Sequence, residues 1–154
     1  METTNGFVMA RPMMSFSDSA KTVWNKYAVF TGRARRSEFW WWFLLTAILG
    51  SVTTALDASL GLNFTFFDVD QDFGPLNVVY SLIVLLPNLA VTIRRLHDIN
   101  YSGWYFLFVF IPLFGLLLML WWTTRDSQRI DNEYGPSPKY YTPDNNVAPA
   151  EPGI

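Results

Sequence analysis

Arg94, Arg95, His97 and Asp98 occupy four of five consecutive positions, and Arg33, Arg35, Arg36 and Glu38 occupy four of six far upstream. Three kinds of chemistry are open to such a set. Arginine forks bind carboxylates bidentately, so the two clusters could clamp each other as an ionic lock. The surplus of five arginines over Glu38 and Asp98 could instead hold a phosphate or an anionic lipid headgroup. His97, which titrates near neutrality, could move protons if Asp98 or Glu38 fixed its tautomer.

Spacing discriminates among these readings. On a helix, Arg94 and Asp98 stand four apart on one face and can pair, while Arg95 turns toward a different neighbour. Adjacent residues point about 100° apart, so His97 and Asp98 are poorly placed to pair. The histidine is the only one in the chain, cysteine is absent, and no serine nucleophile motif, Gly-rich phosphate loop or metal-ligand set accompanies it. The expectation is a binding or assembly element and not an enzyme, with no cofactor and no metal; the alternatives are an anionic-lipid or phosphate-binding membrane protein, then an oligomeric transporter or channel component or a His-dependent membrane enzyme. Its partners are expected to be the lipid bilayer, including anionic lipids, and a second copy or another membrane protein, with no nucleic acid.

The elements that must position these clusters are apolar. Residues 39–56, 76–93 and 104–122 contain no charged side chain. As helices they reach about 27 to 29 Å, close to the ~30 Å hydrocarbon core of a bilayer. A soluble helical core competes with this reading, since a buried helix can also be apolar all round, but three such runs are too many for so short a chain. The expected fold class is an all-α membrane protein with three transmembrane helices, an amphipathic interfacial helix before them and a disordered C-terminal tail after them. The expected division is a flexible N-terminus at 1–16, the interfacial helix at 17–31, the three-span domain at 32–122 and a proline-rich tail at 123–154. Residues 1–15 lack the apolar run of a cleavable signal, so the first span should be retained.

Charge sets the orientation. Arg33, Arg35 and Arg36 precede span one and Arg94 and Arg95 close span two, so those ends should face the cytoplasm and the Asp68, Asp70 and Asp72 loop should face out. Span three would then carry the tail outward, against the pull of Arg125 and Arg129. Trp40, Trp41, Trp42, Trp104, Trp121 and Trp122 fall at the expected span edges, as interfacial anchors do. Pro87 and Pro112 should free the carbonyls of Ile83 and Phe108, which a neighbouring helix or hydroxyl must satisfy. Ala47, Gly50, Ser51 and Ala55 would let span two approach span one along one face. Ser17 or Ser19 should cap the first helix, with Ala20, Val23, Trp24, Tyr27 and Ala28 on one side, and Gly32 should end that segment.

At the two charged segments the chain resembles a known family. Gly32, Arg33, Arg36, Glu38, Phe39 and Trp40 fill a Gly-Arg-x-x-Arg-x-Glu-Phe-Trp pattern, and Arg94 to Asp98 with Ser102, Gly103 and Trp104 fill an Arg-Arg-Leu-His-Asp…Ser-Gly-Trp pattern. Both are similar to signatures of domain-of-unknown-function family 805, small bacterial inner-membrane proteins. Asn132, Tyr134, Gly135, Pro136 and Pro138 resemble that family's ending, while residues 125–131 depart from its glycine-containing link. The resemblance covers about residues 20–138. It implies a multi-pass inner-membrane fold and address, to which the charge distribution adds a cytoplasmic N-terminus, and no reaction.

Overall fold

The computed structural model describes residues 9–66, 69–70 and 73–141; for 65, 66, 69 and 70 only the backbone is described. Two 24-residue helices dominate, α2 (Arg36–Ser59) and α3 (Pro75–Asp98), each about 36 Å long. A shorter helix, α1 (Phe16–Asn25), precedes them, and an 11-residue apolar helix, α4 (Phe114–Thr124), follows. Four two-residue strands accompany these helices. Strand β1 (Met9–Ala10) pairs antiparallel with β4 (Tyr140–Tyr141), and β2 (Thr65–Phe66) pairs with β3 (Val69–Asp70) in the α2–α3 connection.

Helices α2 and α3 run antiparallel and are joined by polar rungs along their length. Asp57 meets the start of α3, the Tyr80 hydroxyl donates to the Thr46 carbonyl at 2.5 Å, Trp42 Nε1 donates to Asn88 Oδ1 at 2.6 Å, and Arg94 meets Glu38. Asn77 Nδ2 adds donations to Thr53 and Thr54 and to the Gly50 carbonyl. The face that α2 turns to α3 is therefore Thr46, Gly50, Thr53, Thr54 and Asp57. Of the small residues expected there, Gly50 alone lies against α3, its position approached by the Tyr80 ring; Ala47, Ser51 and Ala55 are exposed. Side-chain hydroxyls won over small size because they tie off polar atoms as they pack.

Most of the surface of these two helices is apolar and bare. In their most hydropathic windows, 6% of α2 and 22% of α3 is buried, where the core helix of a water-soluble domain is mostly covered.

The expected third spanning helix is not there. Residues 103–110 form a 3-10 segment (Gly103–Phe110), the chain turns through Pro112 and Leu113, and α4 then runs back. Pro112 has no N–H to continue a helix, and Leu113, at φ +61° and ψ −59°, forms a strained γ-turn closed by the Phe114 N–H on the Pro112 carbonyl at 2.7 Å. Gly115 completes the turn, because a Cβ there would sit 1.7 Å from the Phe108 carbonyl oxygen. The Trp122 ring packs 5.4 to 5.7 Å from those of Tyr101, Tyr105 and Phe108, and the Gln128 N–H donates to the Asp98 carbonyl at 3.3 Å. A continuous 19-residue helix would hold its ends about 28 Å apart. Here they touch, so the segment is a hairpin and the chain leaves it at the end where it entered.

The freed proline carbonyls find partners. Tyr27 Oη donates to Ile83 O at 2.5 Å, four residues before Pro87, and the Ile111 N–H takes Phe108 O at 3.0 Å. Helix α1 lies across the start of α2, with Val23 packed on Trp42, Ala34 and Val91. It is shorter than expected and its cap is Ser15, which accepts from the Asp18 N–H; Ser19 is buried and donates instead to Ser37 O. Of the residues expected to share one side of this helix, Val23 is buried and Trp24 is exposed. Gly32, at φ +81°, ends the segment as expected. The tail is ordered through Tyr141, and the N-terminal segment from Met9 is tied to it by β1 and by the Arg11 N–H on Lys139 O at 2.7 Å. The rest of the expected flexible N-terminus and disordered tail, 1–8 and 142–154, lies outside the described residues.

Candidate functional site

Asp98 ends α3 fully buried and gathers three donors. Arg33 Nε reaches its Oδ1 at 2.9 Å, while Arg95 Nη1 and Ser127 Oγ both reach its Oδ2 at 2.5 Å. Arg33 uses its remaining N–H groups on carbonyls of Asp98, Gln128, Ile130 and Gly135. Arg95 donates to the carbonyls of Thr123 and Arg125. Two guanidinium groups, held by one carboxylate, thus thread the backbone that leaves α4.

Glu38 and Arg94 form a second buried pair at 2.6 Å, joining the start of α2 to the end of α3. The expected Arg94–Asp98 pair is absent, and Arg95, expected to look elsewhere, takes Asp98 at a spacing of three. Asp98 turns toward Arg33 and the returning tail, which leaves Arg94 for α2. Arg94 Nε and Nη2 have no partner within the described residues.

Among the described residues no carboxylate hydrogen-bonds to His97. Its Nδ1 lies 3.2 Å from the Gly32 carbonyl, its ring stacks flat on Tyr134 at 3.9 Å, and Asn132 Nδ2 holds its backbone carbonyl at 2.9 Å. All three signature segments, around Gly32, Arg94 and Asn132, therefore converge on one end of the helix pair. Among the described residues no group of three or more acidic or histidine side chains could hold a metal.

Arg35 and Arg36 stand outside this knot. Arg36 makes an exposed pair with Asp126 at 3.1 Å, and Arg35 donates to the carbonyls of Pro12 and Arg11. Asp126 also takes Lys139 at 2.7 Å and the Tyr140 hydroxyl at 3.0 Å. Partial burial works to raise the Asp126 pKa, but Lys139, the Ser127 N–H, Tyr140 and Arg36 prevail and hold it at about 2. Burial first, and the Arg11 charge second, push Arg35 below its ordinary value.

The tryptophans divide. Trp42 and Trp122 are core residues, Trp40 Nε1 and Trp41 Nε1 donate to the Thr123 and Met14 carbonyls, and Trp104 and Trp121 are exposed. Since the hairpin returns, Trp104, Trp121 and Trp122 lie at one end, where span edges on opposite sides were expected.

One polar site at the far end went unnoticed in the sequence. Asp57, on α2, is fully buried and accepts the N–H groups of Gly74, Leu76 and Asn77 at 2.8 to 3.1 Å, so one helix caps the next. Its only signal was an acid placed shortly before a Gly-Pro helix start.

Fold and site together define a small helical protein with two helices of membrane-spanning length and a buried arginine–carboxylate knot at one end. The chain belongs to the family described as "Protein of unknown function (DUF805)", which matches residues 27–136. "Inner membrane protein YhaI" of Escherichia coli K12 is 36% identical over 119 residues, 77% of this chain and 93% of the relative. "Inner membrane protein YhaH" of the same strain is 36% identical over 117 residues, 76% and 93% of the two chains. No solved structure matches the chain.

Proposed function

We propose that this chain is a bacterial inner-membrane protein acting as a non-enzymatic binding element. Helices α2 and α3 cross the bilayer, α1 lies on the inner surface, and the hairpin 103–124 dips into the inner leaflet and returns. The relatives' names, the bare apolar faces and the charge distribution support this. All eleven lysines and arginines lie in segments at the Arg36 and Asp98 end, and residues 60–74 at the other end contain none. The returned tail removes the conflict that Arg125 and Arg129 posed for an outward C-terminus.

The observation that carries the non-enzymatic reading is the saturation of Arg33, Arg95 and Asp98 by their own chain. Groups so engaged position backbone, and among the described residues the His97 ring bonds a backbone carbonyl and not the carboxylate a proton shuttle would use. In detergent-purified protein, His97→Ala is expected to keep the tail docked and resistant to trypsin, and Asp98→Asn to release it. A docked, fully stable Asp98→Asn protein would contradict the lock. Recovery from carbonate-washed membranes tests the address, and release into the wash would contradict it.

A further inference from the structure

Beside the knot, a groove of about 860 Å³ opens between the start of α2 and the paired termini. One end carries Arg11, Arg35, Arg36 and Lys139; the other is walled by Trp40, Trp41, Phe43 and Leu44 on the exposed face of α2. From Arg36 to Leu44 is about 12 Å along the helix, enough to pass a headgroup layer of about 5 to 8 Å and reach the acyl region. The only carboxylate bonded to these cations among the described residues is Asp126, shared by Arg36 and Lys139. Among the described residues Arg11 and Arg35 hydrogen-bond only to carbonyls, Pro138 at 3.4 Å for Arg11, Pro12 at 2.8 Å and Arg11 at 3.4 Å for Arg35, and the Arg11 guanidinium also lies 5.6 Å from the Tyr141 ring centre. Four cations against one carboxylate, continuous with an apolar wall open to lipid, is a charge pattern that a phosphodiester with acyl chains complements.

We propose that this groove binds an anionic phospholipid of the inner leaflet, its phosphate among Arg11, Arg35 and Arg36 and its chains along Phe43 and Leu44. The inference rests on the Arg36 end facing the cytoplasm and names the ligand of the binding element. Burial first, and the Arg11 charge second, lower the Arg35 pKa against the opposing pull of Asp98, Glu38 and Asp126, so Arg11 and Arg35 repel each other across the groove. A bound phosphate would relieve that repulsion, and the Trp40 and Trp41 rings would sit at the headgroup boundary. Arg94 and Arg95, two of the five arginines the sequence offers for this task, are fully buried and committed to Glu38 and Asp98. Arg11 and Lys139 lie outside the family match at 27–136, so the groove is partly this chain's own.

The test is native mass spectrometry of the full-length protein in detergent, titrated with phosphatidylglycerol, with phosphatidylcholine of matched chains, and with inorganic phosphate. Phosphatidylglycerol should bind in preference to phosphatidylcholine. At about fivefold per cation, Arg11→Ala with Arg36→Ala should weaken it about 25-fold, and Lys21→Ala, away from the groove, should leave it unchanged. Tail resistance to trypsin shows that each variant folds, and Arg36→Glu, at an exposed side chain, serves if the double variant does not. Equal binding of the two lipids, or undiminished binding by the variants, overturns the proposal. Displacement of lipid by millimolar inorganic phosphate assigns the site to free phosphate and also overturns it. An acidic peptide partner is indicated instead if both lipids fail while a polyglutamate peptide binds. Cysteine labelling decides membrane sidedness separately, so a wrong orientation and a wrong ligand are distinguishable.

Discussion

Replacing Asp98 by asparagine keeps the shape of the site and removes one charge. Arg33 and Arg95, whose side chains are 1% and 0% exposed, would then share no carboxylate, since Glu38 is occupied by Arg94. Removing one partner from a buried ion pair costs about 3 to 5 kcal/mol. Arg33 keeps its carbonyl acceptors and asparagine keeps one oxygen, so the lower figure applies, about 3 kcal/mol or roughly a 150-fold shift toward the open state. What opens is the tail, because Asp98 holds Ser127 directly and Gln128 through its carbonyl. Trypsin cleavage after Arg125 and Arg129 in detergent-purified protein reports that population when reclosing is fast. Arg36→Ala, which removes an exposed pair, should change the rate less than about fivefold. Cleavage of Asp98→Asn at the wild-type rate, or an equal response from Arg36→Ala, would refute the reasoning.

Asp57→Ala strips the acceptor from three N–H groups at the start of α3 and should cost about 2 kcal/mol or more in thermal unfolding; an unchanged melting temperature would mean that water serves as well. Tyr27→Phe leaves the Ile83 carbonyl unpaired beside Pro87, for a loss of about 1 to 3 kcal/mol by the same assay, and a neutral result would show that the proline kink satisfies itself. Asp126 has a folded pKa of about 2, below its unfolded value near 4, so its contribution to tail docking is present above pH ~4 and lost as pH falls toward 2. Hydrogen exchange in 126–141 should quicken over that window, and Asp126→Asn should remove the step.

The two long helices were legible because uncharged length is what a bilayer selects, and the helices overrun the apolar runs only at their polar ends. Convergence of the charged segments was legible as well, since Gly32-Arg33 and Arg94–Asp98 both flank the same span ends. The hairpin was not. Hydropathy sums over residues 104–122 and is blind to a reversal in the middle, and Pro112 was readable as a kink only. The return depends on Leu113 closing a strained γ-turn and on Trp122 finding three aromatic rings, which are tertiary events. The same return put Ser127, Gln128 and Ile130 within reach of Arg33 and Asp98, so partner choice among the charges could not be read before the chain was known to come back.

Because the chain lacks cysteine, single-cysteine variants can locate each segment relative to the membrane. With a membrane-impermeant maleimide on intact spheroplasts, Ser59→Cys should label, while Lys26→Cys and Arg129→Cys should label only after permeabilisation. Labelling of Arg129→Cys from outside, with Lys26→Cys protected, would mean that residues 103–124 cross the bilayer and that the tail never meets the arginine knot.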